Sequence, residues 1–326
     1  MKKWLTIPKD RMELCVEEAI APIEGEIKVR VTKTFISSTD TAVYLGEATS
    51  EPMVPCRIAV GLISESPENK QFIKGERVLL TPYIKNEGQA PNAKGVDIDG
   101  YLSNYVIVPE SNIIKLPDSV DDESALFAEY IAIGLKAFHV LKIEKQEYVT
   151  IFGCDALSII LSQIAIYNKT IPIIIGKNDT KLQIAKDCGA YYTINLNQEK
   201  VTQRVKSITS GKNVGTALFT FTDTMSTNVV LNTLRYRGKL GAIGFNTLVD
   251  KALIDLRLVF TKSLSIYGIS DGIGYIEKAI NLLANQVISI KPLISNTIKF
   301  EEVGKFIKNI DNKEDFLKII IDCYES

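Results

Sequence analysis

Between residues 148 and 243 the sequence alternates between two hydrophobic periods, and this alternation restricts the fold more than any other feature. The runs "EYVTIFG", "IPIIIG", "TALFTF" and "KLGAIGF" are short and mostly apolar, as buried strands are. The segments between them are helical in spacing, with apolar residues at Leu157, Ile160, Leu161, Ile164 and Ala165. Strands that alternate with helices predict a parallel, doubly wound sheet of the α/β class.

The flanking segments have other patterns. Up to about residue 118, strand-like runs such as "EIKVRVTKTFI", "GERVLLTPY" and "DGYLSNYVIVP" are separated by turn residues, which predicts a barrel-like β domain. The segment "DESALFAEYIAIGLKAFHVL" predicts one helix, and "TNVVLNTLRYRG" predicts another. After "LSIYGIS" we expect a helix, then the segment "VISIKPLI", a further helix and a closing strand "LKIIIDC".

Charge and hydropathy exclude several classes of partner. The chain has 326 residues, a formal net charge of −1 and a sequence pI of about 6.1. Because no bulk field attracts nucleic acid, we expect no nucleic-acid partner. No run approaches the roughly 18 apolar residues of a membrane span, and "MKKWLTIPKD" lacks the apolar core of a signal peptide. These features predict a cytoplasmic protein that does not bind membranes.

Cysteine and histidine usage limits the chemistry. The five cysteines are widely scattered and form no CxxC motif, which predicts reduced, mostly buried thiols. His139 is the single histidine, so a mechanism that needs two imidazoles is excluded. We expect His139 to be a surface or packing residue.

The turn "GCDALS" after the first buried strand is the expected dinucleotide turn. Such a turn uses glycine for tightness, for close approach to the pyrophosphate and for helix packing. Gly153 fills the first role, whereas Asp155 and the small Ser158 stand in the other two. A phosphate about 4 Å from the Asp155 carboxylate would be repelled by roughly 4 kcal/mol at an effective dielectric near 20. The turn alone is therefore compatible with a bound cofactor or with an empty fold.

The end of the second strand favours a phosphorylated cofactor. An acidic residue there would bind the adenine ribose of NAD, but this chain has Gly176, Lys177 and, one turn on, Lys181. Glycine leaves room and the lysines supply charge for a 2′-phosphate, which predicts NADP over NAD. The alternative is two solvated lysines at a helix start.

In order and spacing, these segments resemble the medium-chain dehydrogenase/reductase superfamily, which includes zinc alcohol and polyol dehydrogenases. The segments "VDIDGYLSNYVIVPESNIIKLPDSV", "AEYIAIGLKA", "LRYRGKLGAIGF" and "ISIKPLI" carry the resemblance. It implies a GroES-like β-barrel catalytic domain over residues 1–130 and 271–326. It also implies a Rossmann-type nucleotide-binding domain over residues 131–270.

The resemblance also shows which zinc ligands differ. In zinc-dependent relatives, a cysteine ligand stands where this chain has Ser37, and Gly-His-Glu stands at Cys56, Arg57 and Ile58. Only Glu129 matches a possible ligand of the polyol-type branch. Residues 84–100 contain no cysteine for the structural zinc loop. Because one carboxylate cannot make a tetrahedral site, we predict a protein without zinc.

The same resemblance suggests a replacement for the metal. The Arg57 guanidinium would lie near the vacated position, with Asp40 and Glu129 as carboxylate partners. It would then polarise a carbonyl oxygen or bind an anionic substrate group, or else serve only as a structural plug. Thr39 stands in the segment that carries a hydroxyl proton relay in alcohol dehydrogenases, and a purely structural role is its alternative.

Two functions remain open on the sequence. The first is a zinc-independent NAD(P)H-dependent oxidoreductase acting on a small polyol- or sugar-like ketone or aldehyde. The second is a catalytically degenerate relative that serves as a binding or assembly partner. The bulky residues of "FTFTD", from Phe219 to Asp223, would crowd the nicotinamide side and favour the second. Resemblance also implies a dimer or tetramer paired through the strand near "LSIYGIS".

Overall fold

The computed structural model describes residues 1–7, 11–18, 20–46, 51–67, 71–84, 91–220, 224–244, 253–309 and 316–324. The chain divides into two compact units, of which one comprises Met1–Glu129 and Ile294–Ser326 and the other Tyr130–Leu293. Within the described ranges, no helix has the length and apolar character needed to cross a membrane. All five cysteines, each at a described position, are free thiols.

The elements follow the order expected from the two periods. In chain order they are β1 (Lys2–Ile7), β2 (Arg11–Val16), β3 (Glu26–Ile36), α1 (Ser38–Tyr44), β4 (Ala59–Glu65), β5 (Arg77–Leu80), β6 (Tyr83–Ile84), β7 (Asn92–Ala93), β8 (Tyr105–Pro109), β9 (Ile113–Lys115), α2 (Asp122–Ala125), α3 (Ala128–Leu141), β10 (Tyr148–Phe152), α4 (Ala156–Tyr167), β11 (Ile171–Gly176), α5 (Asp179–Asp187), β12 (Tyr192–Asn195), α6 (Val201–Ile208), β13 (Val214–Phe219), α7 (Thr224–Thr233), β14 (Leu234–Ile243), α8 (Leu256–Thr261), β15 (Ser265–Ile269), α9 (Ile276–Ala284), β16 (Ile294–Lys299), α10 (Val303–Lys308) and β17 (Lys318–Asp322). Short 3₁₀ turns lie at Glu110–Asn112, Lys291–Leu293 and Phe300–Glu302.

The first unit is organised around the long strand β3. Its sheet has the order β16-β17-β3-β4-β5-β9, and β8 also pairs with β3. The first half of β3, from Glu26 to Arg30, lies opposite β8, while its second half, from Lys33 to Ile36, lies opposite β17. One edge of β3 thus pairs with two strands in succession, first β8 and then β17. The sheet therefore curves around a core made mostly of branched aliphatic residues.

The second unit contains a six-stranded parallel sheet in the order β12-β11-β10-β13-β14-β15. This is the doubly wound order, in which the chain reverses direction across the sheet between β10 and β13. The strands β10, β11 and β13 are almost wholly buried, as expected where crossover helices cover a parallel sheet on both faces. The predicted fold class, a GroES-like β domain with a Rossmann-type nucleotide-binding domain, is confirmed.

Two predicted helices differ from those observed. The segment predicted as one helix forms α2 and α3, because the fully buried Leu126 and Phe127 turn the chain between them. The helix predicted over "TNVVLNTLRYRG" ends at Thr233, and its arginine-rich end lies in β14. The Lys262 ammonium explains the stop, since it donates hydrogen bonds to the carbonyls of Leu231, Asn232 and Leu234 at 2.9–3.2 Å.

The observed unit boundary lies at Leu293, whereas the sequence places it at residue 270. The segment after β15 is attached to α3: the Lys136 ammonium contacts Asp271 Oδ1 at 2.6 Å. Next to it, a Cβ added at Gly272 would lie 2.5 Å from Cβ of Ala132. The apolar face of α9 is also buried, so residues 271–293 complete the nucleotide-binding unit.

The Lys136–Asp271 ion pair gives a pH-dependent prediction. Burial raises the pKa of Asp271, but the hydrogen bond from Lys136, the N–H of Ile273 and the Lys136 charge outweigh it, so the pKa lies below its usual value. A lowered carboxyl pKa stabilises the fold above the unfolded-state pKa of about 3.9, and this stabilisation is lost as the pH falls through the folded-state value. We expect Asp271→Asn to lower the free energy of unfolding at neutral pH by about 1–2 kcal/mol.

Urea unfolding of wild type and Asp271→Asn at neutral and strongly acidic pH tests this. The difference should narrow at acidic pH, where the wild-type carboxyl is protonated. Asp187→Asn is the control, because its exposed carboxylate accepts a hydrogen bond from the exposed Gln183 side chain of the same helix. A loss in Asp271→Asn no larger than in the control would contradict the prediction.

Candidate active site

The start of α1 is built by Asp40. Ser37 caps the helix, and its N–H and hydroxyl both donate to Asp40 Oδ2, at 2.7 and 2.5 Å. The N–H of Cys56 donates to Asp40 Oδ1 at 2.6 Å. Cys56 has a φ of 71°, a left-handed conformation that is uncommon for a residue with a side chain. Asp40 therefore holds the strained backbone next to Arg57; a direct catalytic role for Asp40 stays a prediction.

Thr39 occupies the first turn of α1 and is half-buried. Its neighbour Ser37, the second hydroxyl considered for a proton relay, donates its hydrogen to the buried Asp40 carboxylate. Of the two hydroxyls, Thr39 is therefore the candidate that retains a relay role. That role stays a prediction.

Arg57, Glu129 and Tyr83 form a compact cluster in the first unit. Arg57 Nη2 lies 2.8 Å from Glu129 Oε1 and 2.9 Å from the Tyr83 hydroxyl oxygen. The Tyr83 hydroxyl donates to the same Glu129 oxygen at 2.8 Å. The Glu129 side chain is 4% exposed and that of Arg57 is 21% exposed, so solvent reaches the cation and not the carboxylate. The structure thus brings together Arg57 and Glu129 and adds Tyr83.

The residues at this cluster do not fit a zinc ligand set. Among the described residues, no group of three or more His, Cys, Asp or Glu side chains could hold a metal ion. Glu129 is bound by a guanidinium, and a cation cannot share that oxygen with zinc without strong repulsion. Burial and the Asp40 charge raise the pKa of the Cys56 thiol well above its usual value.

Hydroxyl groups bridge β10 and β13 at the point where the sheet order reverses. Gly153 ends β10 with a φ of 141°, and a Cβ there would overlap Oγ1 of Thr220 and Oγ of Ser158. The Thr220 hydroxyl donates to the Phe152 carbonyl at 2.8 Å, so Ser158 Oγ, 2.8 Å away, is the donor to Thr220. Gly153 is thus required by the turn itself. The expected nicotinamide-side residues 221–223 lie outside the described residues.

Asp155 is the N-cap of α4. Its Oδ1 accepts a hydrogen bond from the N–H of Ser158 at 2.8 Å, and its side chain is exposed. In a dinucleotide site, the free N–H groups at this helix start face the pyrophosphate. Here the protein's own carboxylate occupies one of those donors and places a negative charge beside the others.

Gly176 makes a close contact with Cys154. A Cβ at Gly176 would lie 2.6 Å from Cys154 Sγ and 2.7 Å from Cys154 Cβ. Burial raises the pKa of the Cys154 thiol, although the backbone N–H groups of Asn178 and Lys177 lower it in part. Glycine at 176 therefore has a packing reason that sequence reasoning did not identify.

Both lysines lie near the start of α5. Lys177 is exposed, and Lys181 is half-buried with its N–H donating to the Asn178 cap at 3.0 Å. Asp179, which the sequence analysis did not single out, accepts hydrogen bonds from Asn195 and Gln198 at 2.7 and 2.8 Å. These contacts tie Asp179 to the end of β12. The structure places Gly176, Lys177 and Lys181 at one strand end, and their cofactor roles stay predictions.

Two family models match the chain. Residues 23–118 match the alcohol dehydrogenase GroES-like domain, and residues 156–285 match the zinc-binding dehydrogenase domain. An uncharacterized zinc-type alcohol dehydrogenase-like protein of Haemophilus influenzae is 26% identical, over 91% of each chain. Sorbitol dehydrogenase 1 of Saccharomyces cerevisiae is 25% identical, over 87% of this chain and 80% of its own.

Solved structures agree with the fold. An Escherichia coli alcohol dehydrogenase complexed with NADH has a TM-score of 0.89 and 21% identity, with 99% of both chains covered. A zinc-binding dehydrogenase of Sinorhizobium meliloti bound to NADP has a TM-score of 0.90 and 19% identity, with 98% of both chains covered. With both domain families matched in the expected order, the chain belongs to the medium-chain dehydrogenase/reductase superfamily of oxidoreductases.

Proposed function

We propose that the protein is a zinc-independent, NAD(P)H-dependent reductase of a small polyol- or sugar-like ketone or aldehyde. The observation that carries the proposal is the Arg57–Glu129 ion pair, with 2.8 Å between Nη2 and Oε1. On the family resemblance, this pair would put a permanent cation near the position of the catalytic metal. Sorbitol dehydrogenases among the relatives support a polyol-type substrate.

In this mechanism Arg57 acts as the electrophile. Its N–H groups donate to the carbonyl oxygen of the substrate and stabilise the negative charge that develops there. The nicotinamide cofactor supplies the hydride when bound. Because a guanidinium remains protonated at any working pH, Arg57 does not deliver the proton, and the Thr39 hydroxyl carries it to the alkoxide in exchange with solvent.

Glu129 favours a carbonyl substrate over an anionic one. A substrate carboxylate that bound Arg57 would lie close to Glu129 Oε1, which is itself 2.8 Å from Nη2. Two like charges about 4 Å apart repel by roughly 4 kcal/mol at an effective dielectric near 20. A neutral carbonyl oxygen accepts the same hydrogen bond without this repulsion. Of the two roles open for Arg57 as a ligand, polarisation of a carbonyl is therefore the better supported.

The cofactor part of the proposal rests on the second unit. Gly176, Lys177 and Lys181 would hold the adenosine end, with the lysine charges favouring a 2′-phosphate and hence NADP. Asp155 opposes the pyrophosphate by an amount between about 1 kcal/mol in bulk water and about 4 kcal/mol at an effective dielectric near 20. We therefore propose weak binding of NADPH, in preference to NADH.

The strand β15 supports a homo-oligomer. It lies at the end of the parallel sheet, and Ile266 on it is 42% exposed. An exposed strand edge with apolar residues is a site where a second copy can pair. We propose a dimer or tetramer built through this edge.

Neutralising Asp155 tests the cofactor site. Asp155→Asn keeps an N-cap acceptor and removes the charge, so we expect NADPH to bind about tenfold more tightly or better. The measurement is a titration that follows nicotinamide fluorescence, with NADPH and NADH in parallel. Asp255→Asn is the matched control, because Asp255 is the N-cap of α8 in the same unit. Lys177→Ala should reduce the preference for NADPH.

Two results would contradict this part of the proposal. If neither wild type nor Asp155→Asn binds either nucleotide, the oxidoreductase assignment fails. If Asp155→Asn and Asp255→Asn change the affinity equally, the charge at the turn is not what weakens binding.

Arg57 variants and metal analysis test the chemistry. Arg57→Gln should lower kcat for a ketose or aldose by about 100-fold or more, as loss of an oxyanion donor does. Arg11→Gln, at an exposed arginine of the same unit, should leave kcat unchanged. Purified protein should contain sub-stoichiometric zinc and keep its activity in chelator. One zinc per chain, lost together with activity, would refute zinc independence.

A second candidate function has one observation in its favour. The internal cap by Asp155 and the Ser158–Thr220 hydroxyl bridge satisfy the nucleotide turn without a ligand. A degenerate relative that serves as a binding or assembly partner would show this arrangement. It is favoured if wild type binds no nucleotide and only Asp155→Asn does; turnover of any carbonyl by wild type rejects it.

A further inference from the structure

The Arg57 cluster is closed into a ring by Tyr83. One nitrogen of the guanidinium, Nη2, donates to both the Tyr83 hydroxyl and Glu129 Oε1, at 2.9 and 2.8 Å. The hydroxyl then donates its hydrogen to that same carboxylate oxygen at 2.8 Å. The Tyr83 ring also lies beside the cation, with 5.3 Å between Arg57 Cζ and the ring centroid. Each member of the ring thus contacts the other two.

Tyr83 is fixed independently of the cluster. It lies in β6, where it pairs with Ala93 of β7. Its carbonyl accepts a hydrogen bond from Asn112 Nδ2 at 2.9 Å, and the same amide reaches Thr81 Oγ1 at 3.3 Å. Asn112 is itself 2% exposed. The phenol therefore projects from a backbone position held on both sides by hydrogen bonds.

The orientation of the Arg57 guanidinium depends on contacts at the charged end of the side chain. Its long side chain follows Cys56, whose left-handed backbone is held by Asp40, and its end is partly exposed to solvent. The two hydrogens of a guanidinium nitrogen lie in the plane of the group, so acceptors for both of them fix that plane. Glu129, from α3, and Tyr83, from β6, are two acceptors for Nη2.

We infer that Tyr83 is a positioning residue of the active site: its hydroxyl fixes the plane of the Arg57 guanidinium, and Arg57 in turn orients the substrate carbonyl. The inference deepens the proposed function, on which its catalytic half depends. It assigns Tyr83 no contact with the substrate. Removal of the hydroxyl should lower the rate of the chemical step and leave cofactor binding unchanged.

Tyr83→Phe tests the inference against Tyr105→Phe as control. Tyr105 lies in β8 of the same unit, and its ring centroid is 5.9 Å from the Lys28 ammonium. The first readout is kinetic: Tyr83→Phe should lower kcat by about tenfold and leave the KM for NADPH unchanged. The second readout needs no turnover. Phenylglyoxal should modify Arg57, located by peptide mass mapping, several times faster in Tyr83→Phe than in wild type or Tyr105→Phe.

The outcomes separate this inference from the proposed function. If wild type reduces no carbonyl but Arg57 is modified faster only in Tyr83→Phe, the positioning role stands and the proposed reaction fails. If Arg57 reacts equally in wild type, Tyr83→Phe and Tyr105→Phe, the positioning role is overturned, whatever the activity. Should Tyr83→Phe not fold, side-chain NMR of wild-type arginines decides: separate, slowly exchanging Nη signals for Arg57 support the inference, and averaged signals overturn it.

Discussion

Burial of the Glu129 carboxylate is the constraint around which the candidate site is organised. A charge that is 4% exposed must be paired and hydrogen-bonded, because the loss of hydration would otherwise be prohibitive. Arg57 supplies the counter-charge and Tyr83 the second donor, each from a different part of the β-rich unit. Asp40 then serves the same cluster indirectly, since it holds the backbone from which Arg57 extends. The result is a fixed cation of the kind that a polarised carbonyl requires.

In the nucleotide-binding unit, side chains of the protein also satisfy polar groups that would otherwise lack partners. A helix that starts after a parallel strand leaves N–H groups without partners, and related folds use these to bind phosphate. In this chain the Asp155 carboxylate caps the helix, and the hydroxyls of Ser158 and Thr220 close the gap between the central strands. Such a turn is stable without a ligand. A pyrophosphate that binds there competes with the Asp155 carboxylate for the N–H of Ser158. Its affinity therefore depends on the free energy needed to displace that carboxylate from the helix start.

Hydrophobic period was sufficient to predict the architecture, because buried strands and amphipathic helices impose different spacings on the sequence. The pairing of Arg57 with Glu129 came from the family resemblance and not from the period, and the structure has the two side chains in contact. Sequence reasoning did not reveal Tyr83, since no local pattern links a tyrosine after a strand to a carboxylate 46 residues later. Nor could it assign Asp40, whose acceptors are occupied by backbone N–H groups that only the folded turn brings close. The end of α7 was missed for the same reason, because the lysine that caps it arrives from a distant segment.

The contact between Gly176 and Cys154 limits which substitutions either position can accept. A side chain at position 176 would collide with the sulfur and Cβ of Cys154, both within 2.7 Å of where its first carbon must lie. An acidic residue at that strand end, the kind that binds an unmodified ribose, therefore cannot be introduced in a single step. Position 154 must first become smaller, and that change alone opens a void beneath the turn. We therefore expect a larger residue at 176 to need a smaller one at 154, and either change alone to leave this strand end less well packed.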